Sequence, residues 1–158
     1  MNLDVEYADY LRDESRKTGN ADSISFPIDE DEVAADLIEK SRRKIPVTIQ
    51  GARTGITAGA VPDGGHIMNM SRMKKILEVK EKNEQMLIVL QPGVLLSELR
   101  DFLGDSGLSK KCETKGSELL NKDKAFFFPP DPTETSASLG GMVACNASGA
   151  MSFFYGPT

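Results

Sequence analysis

Helical and extended stretches alternate along most of the chain. Apolar residues recur at helical spacing near the start and predict a helix over residues 3 to about 17, ending near Gly19: Leu3, Tyr7, Tyr10 and Leu11. A second helix is predicted after Asp29, where acids open the run, bases close it and four residues form an apolar face: Val33, Ala34, Leu37 and Ile38. Residues 95–103 predict a third, amphipathic helix.

Short β-branched or apolar runs separate these helices and predict strands. They are ADSISFP at 21–27, IPVTIQ at 45–50, HIMNM at 66–70, KKILEV at 74–79 and QMLIVLQPG at 85–93. A turn is expected at Ser71, between the third run and the fourth. Pro92 and Gly93 close the last strand.

The remaining third of the sequence has a different character. Residues 104–125 are polar and rich in Gly and Lys, which predicts a surface loop. Residues 126–158 are so rich in Gly, Pro and Ser that ordinary packing elements are not expected there. The sequence contains no internal repeat.

Composition and charge narrow the class of protein. The 158 residues are 39% hydrophobic and 27% charged, as in a soluble globular domain. The net charge of -5, with dispersed Lys and Arg, opposes binding to nucleic acid. No run approaches the roughly 18 apolar residues needed to span a bilayer. The acidic, amphipathic start does not resemble a secretion signal, so a cytoplasmic location is expected.

Cysteine and histidine are too sparse to suggest a metal centre. Cys112 and Cys145 have no CxxC partner, and His66 is the only histidine, so neither a zinc site nor a disulfide framework is expected. Cys145 is interpreted as a small packed residue. His66 is expected to be partly exposed and is assigned no role.

The glycine loop, QGARTGITAGA at residues 50–60, follows the strand-like run IPVTIQ. Small residues let backbone approach a ligand closely, and successive amides form a concave site for a diphosphate. A tight surface turn is the alternative for such a loop. The sequence fits neither GxGxxG nor GxxxxGK[ST], which disfavours ordinary Rossmann and phosphate-loop folds.

The small-residue strip, FPPDPTETSASLGGMVACNASG at residues 128–149, has little side-chain bulk. The alternative is a structural loop with a small-residue helix start, but a segment of this composition is expected to bury little core. Long ordered loops are usually functional. The strip is therefore the sharper functional candidate.

These motifs occur in a characteristic order. FP at residue 26, IPV before the glycine loop, NMSRMKKILEV, QPGV before a helix, PPDP, LGG, ACNASG and YG follow one another. This order resembles the PCMH-type FAD-binding domain of the vanillyl-alcohol oxidase, D-lactate dehydrogenase and glycolate oxidase flavin-subunit superfamily. The resemblance covers nearly the whole chain.

The resemblance implies where FAD binds. In the family the glycine loop wraps the FAD diphosphate, mainly through backbone amides, and the strip lies along the same cofactor. The glycine-loop residues implied are Gln50, Gly51, Ala52, Arg53, Thr54, Gly55 and Ile56. The strip residues implied are Pro130, Asp131, Ser136, Gly140, Gly141, Asn146 and Gly149.

The chain departs from the family pattern at the glycine loop. Many relatives have GGGTG or GGGHS where this chain has GARTG. Arg53 either offsets phosphate charge or points outward into solvent, and the sequence leaves both open. Thr54 stands where relatives with covalent flavin use histidine, which implies noncovalent FAD.

The expected fold is α+β, with a first α/β subdomain at residues 1–80 and the beginning of a second sheet subdomain at 81–158. Both are expected to meet at the FAD site. The family pattern continues beyond Thr158 with a substrate cap, so catalytic residues are expected outside this chain.

The resemblance implies an FAD-dependent oxidoreductase that oxidises a small 2-hydroxy acid, D-lactate or glycolate, by hydride transfer to the flavin. The electron acceptor is left open. Two alternatives remain, namely a flavin-dependent alkyl-group transferase and a truncated cofactor-free module.

Overall fold

A computed structural model describes residues 5–83, 85–104, 115–116, 119–120 and 126–158. The chain divides into two compact units, Met1–Met73 and Lys74–Thr158, called here the first and second unit. The sequence placed a boundary near residue 80. Residues 74–80 lie in the second unit because the strand that begins at Ile76 pairs with the strand that follows it.

A three-stranded parallel sheet organises the first unit. Its strands are β1 (Ser23–Ser25), β2 (Val47–Gln50) and β3 (His66–Asn69), in the order β1-β3-β2. The central strand β3 is buried at all four positions, since both of its edges are paired. The main core of this unit therefore surrounds Ile67 and Met68, both with 0% exposure.

Helix α1 (Glu30–Arg42) connects β1 to β2. Asp29 caps it by accepting a hydrogen bond from the Glu32 amide at 2.9 Å, and the Glu32 carboxylate accepts one from the Ile28 amide at 2.8 Å. Acids in the first turn and bases in the last interact favourably with the helix dipole, as the sequence predicts. Its apolar face stays largely open, with Leu37 40% and Ile38 52% exposed.

The helix in the N-terminal segment is shorter than its apolar spacing predicts. A 3-10 helix covers Val5–Leu11, and the helix expected to residue 17 is wrong beyond that point. The chain turns back instead, because the Gly19 amide donates to the Leu11 carbonyl at 2.8 Å and Arg12 bridges Thr18. Residues 1–4 lie outside the described part of the chain.

The second unit begins with an antiparallel hairpin of β4 (Ile76–Lys82) and β5 (Gln85–Leu90). A 3-10 turn at Met70–Arg72, around the predicted turn at Ser71, precedes it. Helix α2 (Leu96–Gly104) follows the hairpin, as predicted. The core of this unit combines α2 with the small-residue strip: Val94, Leu96, Leu99, Ala137, Leu139 and Met142.

The expectation that residues 126–158 lack packing elements is wrong. They contain α3 (Leu139–Ala144) and α4 (Ser152–Tyr155). Leu139 and Met142 are 6% and 3% exposed. Small residues permit this packing because backbones approach closely, as where a Cβ on Gly140 would meet the Pro92 carbonyl oxygen at 2.9 Å.

The helices and strands together give the α+β class predicted from the sequence. The surface loop predicted at 104–125 lies mostly outside the described residues. Across the described part, no helix is both long and apolar enough to cross a membrane.

Candidate functional site

The glycine loop leaves β2 at Gln50 and turns through two residues in the left-handed region. Arg53 has φ 62 and Ala58 has φ 63. Glycine is the residue that adopts this conformation freely, and other L-residues need compensation of roughly 1–2 kcal/mol. The larger residue at position 53, noted from the sequence, therefore occupies a position whose backbone favours glycine.

The amides at the centre of the glycine loop are available to a ligand. Within the described residues, the amides of residues 53–57 donate no hydrogen bond to another group of the chain. Gly55, Ile56 and Thr57 are exposed. A run of free amides beside left-handed residues provides donors for an anion.

Open space surrounds the middle of the glycine loop. Among the described residues, no heavy atom beyond its chain neighbours lies within 4 Å of an ideal Cβ on Gly55. Gly55 has no positive φ either. Neither packing nor backbone conformation within the described chain requires glycine at this position, which leaves close approach of a ligand as a reason for it.

Gln50 fixes the base of the glycine loop. It is 0% exposed, and its amide nitrogen donates to the carbonyls of Tyr10 and Ala60, both at 2.7 Å. Asn69, also 0% exposed, donates to the Gln50 side-chain oxygen and to the Gly51 carbonyl, both at 3.3 Å. The Gln50 side chain therefore bonds within the unit, and Asn69 is a supporting residue that the sequence pattern did not reveal.

Arg53 has a specific partner inside the first unit. Its guanidinium carbon lies 4.3 Å from the centroid of the Tyr10 ring, a cation-π arrangement. Its backbone carbonyl accepts a hydrogen bond from the Glu14 amide at 3.3 Å. Of the two possibilities left open by the sequence, free projection into solvent does not describe this side chain.

The PPDP turn near the start of the small-residue strip is held by a side chain of α2. Asp131 has φ 49 and pairs with the Arg100 guanidinium at 2.5 Å. Arg100 also donates to the Pro132 carbonyl at 3.2 Å. Pro130 is buried next to them. Arg100, which the sequence did not single out, thus holds the PPDP turn.

Most amides of the predicted strip residues are used within the second unit. The Ser136 amide donates to Glu134, and those of Gly140, Asn146 and Gly149 donate to Pro92, Val143 and Ser152 respectively. A ligand would meet these residues through carbonyls or side chains. Two hydrogen bonds from Ser136, through its hydroxyl and its amide, hold the pKa of Glu134 below its usual value.

Two glycines of the strip have reasons inside the fold. An added Cβ on Gly149 would collide with the backbone of Pro130 and Asp131, and one on Gly140 would lie 2.5 Å from the Pro92 Cβ. Gly141 is less constrained, with the Ser138 hydroxyl 3.0 Å away. Gly140 and Gly149 thus serve backbone packing, whatever they contribute to a ligand.

A comparison with known families identifies the protein family that contains this glycine loop. The sequence model of a family described as "FAD binding domain" matches residues 21–119, which is more than half of the chain. The chain belongs to this FAD-binding domain family. The resemblance inferred from the motif order is confirmed, and with it FAD as the cofactor of the domain.

Curated relatives of the domain are named as a dehydrogenase and an oxidase subunit. D-lactate dehydrogenase from Anaerostipes hadrus is 38% identical over 129 residues, covering 81% of this chain and 23% of the relative. Glycolate oxidase subunit GlcD from Bacillus subtilis (strain 168) is 28% identical over 139 residues, covering 87% and 25%. The chain spans about a quarter of the length of these relatives.

A solved structure shows the same fold. A structure of alkyldihydroxyacetonephosphate synthase superposes with a TM-score of 0.67 at 22% identity, covering 90% of this chain and 24% of that one. At this identity the likeness concerns the fold of the FAD-binding domain.

The glycine loop fits the diphosphate of FAD. Its free amides at 53–57 supply donors, and the open space at Gly55 allows backbone to approach phosphate oxygens. The side chain at Thr54 makes no hydrogen bond within the described residues and carries no imidazole.

His66 differs from its sequence expectation. It is 2% exposed rather than partly exposed, because it lies on the central strand β3. Its Nδ1 lies 2.8 Å from the Ser23 hydroxyl, and its Nε2 lies 2.8 Å from the Ser25 hydroxyl and 3.0 Å from Asp36. Alternation along the sequence does not reveal such burial in a parallel sheet.

Asp36 joins this histidine to α1. Burial alone would raise the pKa of the Asp36 carboxyl, but hydrogen bonds from Ser25, Lys40 and His66 outweigh it and lower the pKa below its usual value. The Lys40 ammonium lies 3.2 Å from Asp36. The network connects α1 with β1 and β3. None of its residues belongs to the glycine loop.

Cys145 also departs from its expectation, since it is exposed rather than packed. It follows α3 directly as the C-terminal cap residue of this short helix. Cys112 lies outside the described residues. Within the described part of the FAD-binding domain, no cluster of His, Cys, Asp and Glu is arranged for a metal ion.

An apolar cavity of about 390 Å³ lies within the second unit. It opens between β5, α2, α3 and the residues around the start of the strip. Its wall includes Ile88, Leu103, Phe127 and Val143. Carbon-lined walls of this kind suit an apolar group rather than the charged parts of a dinucleotide.

Proposed function

We propose that this FAD-binding domain is part of an oxidoreductase that oxidises a small 2-hydroxy acid, D-lactate or glycolate, with noncovalent FAD. The observation that carries the proposal is the glycine loop, with free amides at 53–57 in a family named for FAD binding. The names of the relatives, D-lactate dehydrogenase and glycolate oxidase subunit, support the substrate class.

The residues of this chain would bind and orient the cofactor. Free amides would donate to diphosphate oxygens, with Gln50 and Asn69 keeping the base of the loop fixed. Pro130, Asp131, Ser136, Gly140, Gly141, Asn146 and Gly149 would lie along the dinucleotide, with Arg100 holding the PPDP turn. Bound FAD supplies the two-electron chemistry of hydride acceptance.

Titration of the purified chain with FAD tests the cofactor assignment. We expect saturable quenching of flavin fluorescence, and we expect acid precipitation to release the flavin into the supernatant. Flavin that stays with the precipitate would contradict noncovalent binding, and a chain that quenches no flavin fluorescence would contradict the cofactor site.

The substrate assignment needs the whole parent protein that carries the domain. We expect D-lactate or glycolate to bleach its flavin absorbance without oxygen, and an artificial electron acceptor to restore it. A flavin that binds but is reduced by neither acid would overturn the hydroxy-acid assignment. The alkyl-group transferase would then be the better reading.

A further inference from the structure

The segment before the family's matched region contacts the glycine loop at several points. Residues 5–19 are called here the N-terminal strap. The family match begins at residue 21, so the strap lies outside it. Its last residue, Gly19, approaches the backbone of Pro62 so closely that an added Cβ would collide with the Pro62 carbonyl.

Three contacts connect the strap to the glycine loop. The Tyr10 carbonyl accepts from Gln50 at 2.7 Å, the Glu14 amide donates to the Arg53 carbonyl at 3.3 Å, and the Tyr10 ring lies under the Arg53 guanidinium at 4.3 Å. They involve a carbonyl, an amide and a ring. The strap therefore contacts Arg53 through both its backbone and its side chain.

Contacts from the strap can stabilise the backbone conformation of Arg53. Its φ of 62 favours glycine, so an arginine there needs compensating contacts to hold the conformation. The Tyr10 ring supplies one of them and is itself held in place, with its centroid 5.2 Å from that of Phe26 in an edge-to-face arrangement.

We propose that the N-terminal strap is a positioning element for the diphosphate-binding loop, and that Tyr10 is its positioning residue, acting through Arg53. The inference rests on the proposed role of the loop in FAD binding. When Tyr10 holds the Arg53 guanidinium, the loop keeps the conformation in which its amides 53–57 are free. When this contact is lost, part of the population leaves that conformation, and apparent FAD affinity falls in proportion.

Variants at Tyr10 test the proposal in the full chain. Tyr10→Phe keeps the ring, and no hydrogen bond of the Tyr10 hydroxyl occurs within the described residues. We expect it to bind FAD like the wild type. Tyr10→Leu keeps apolar bulk against Phe26 but removes the ring face, and we expect FAD affinity to fall about two- to fivefold. Equal weakening by both variants would overturn the role of the ring.

A double-mutant cycle separates positioning from general packing. Glycine adopts the left-handed conformation without support, so Arg53→Gly should make the loop independent of Tyr10. We expect Tyr10→Leu to leave FAD affinity unchanged in the Arg53→Gly background. A loss of the same size in both backgrounds would show that Tyr10 acts through Phe26, and it would overturn the proposal.

Loop order in the free protein gives a readout that needs no FAD. We expect amide nitrogen relaxation to show greater mobility of residues 51–60 in Tyr10→Leu than in Tyr10→Phe, and the Glu14 amide to exchange faster with solvent. Unchanged mobility in Tyr10→Leu would overturn the proposed role of the strap. If the wild type binds no FAD but these changes occur, the proposed function fails while the strap stands.

Discussion

Gly55 illustrates what single residues contribute to the glycine loop. In the part of the chain that the structure describes, no atom lies within 4 Å of an ideal Cβ on Gly55, and its backbone needs no special conformation. Arg53 differs, because its left-handed backbone is offset by a stacked ring. One glycine therefore leaves room for a ligand, while a nearby arginine is held by its neighbours within the unit.

Replacement of Gly55 should affect the ligand and not the fold. We expect Gly55→Val to weaken FAD binding roughly tenfold or more, because the β-branched side chain blocks amide-phosphate contacts of about 1–2 kcal/mol. Thermal unfolding should be unchanged. Fluorescence titration with FAD measures the effect.

Gly59→Val provides the matched control. Among the described residues, Gly59 likewise has no heavy atom within 4 Å of an ideal Cβ, but it lies beyond Gln50–Ile56, the glycine-loop residues implied to bind FAD. We expect FAD affinity close to that of the wild type. Equal losses in both variants would mean that bulk anywhere in the loop is disruptive, and the assignment of Gly55 would fail.

At the scale of elements, the network of His66 and Asp36 connects α1 with the parallel sheet. Helix α1 buries none of its residues, so apolar packing anchors it only weakly. The Asp36 carboxylate, 16% exposed, accepts from Ser25 at 2.5 Å and pairs with Lys40 and His66. Polar contacts therefore do much of the anchoring.

Acid should weaken this anchor. The pKa of Asp36 is lowered below 3.8 because, against burial, hydrogen bonds from Ser25, Lys40 and His66 favour its ionised form. The stability contributed by Asp36 is present above its unfolded-state pKa and is lost as pH falls from about 3.8 through the lower folded-state pKa. Urea unfolding at a series of pH values, monitored by amide exchange in the first unit, measures this contribution to stability.

Asp36→Asn should lower stability near neutral pH by roughly 1–2 kcal/mol and flatten the acid dependence. Asp31→Asn, an exposed acid in the first turn of the same helix, is the control and should change the acid profile less than Asp36→Asn does. Glu39, Lys40 and His66 are the other charged or titratable groups of the network. An unaltered profile in Asp36→Asn would contradict the role of this carboxylate.

At the scale of the whole chain, the second unit contains open apolar surface around its cavity. The cavity of about 390 Å³ lies beside side chains that remain exposed, such as Phe127 at 56% and Val143 at 67%. Phe127 stacks edge-to-face on Tyr155, with centroids 5.6 Å apart. Contiguous apolar surface of this kind binds other apolar groups.

A hydrophobic dye should report this cavity. We expect anilinonaphthalene sulfonate to fluoresce with the native chain and Val143→Glu to reduce its affinity several-fold, because a charge in the cavity wall opposes an apolar ligand. Ile38→Glu, on the open face of α1, is the control and should bind the dye like the wild type. Equal loss in both variants would contradict the cavity as the site.

The sequence determined the features that depend on neighbouring residues. Short apolar or β-branched runs located the strands, and helical spacing located α1 and α2, with end charges as a further signal for α1. Motif order identified the FAD-binding family. These signals are local, since propensity, capping and loop chemistry act within a few residues.

Only the tertiary structure decided how distant residues combine. Gln50 bonds to Tyr10, His66 to Ser23, and Arg53 stacks on Tyr10, all across long stretches of sequence. The packing of α3 likewise depends on contact with Pro92. No local pattern encodes such pairs, because burial and hydrogen bonding arise only when the folded chain brings separate segments together.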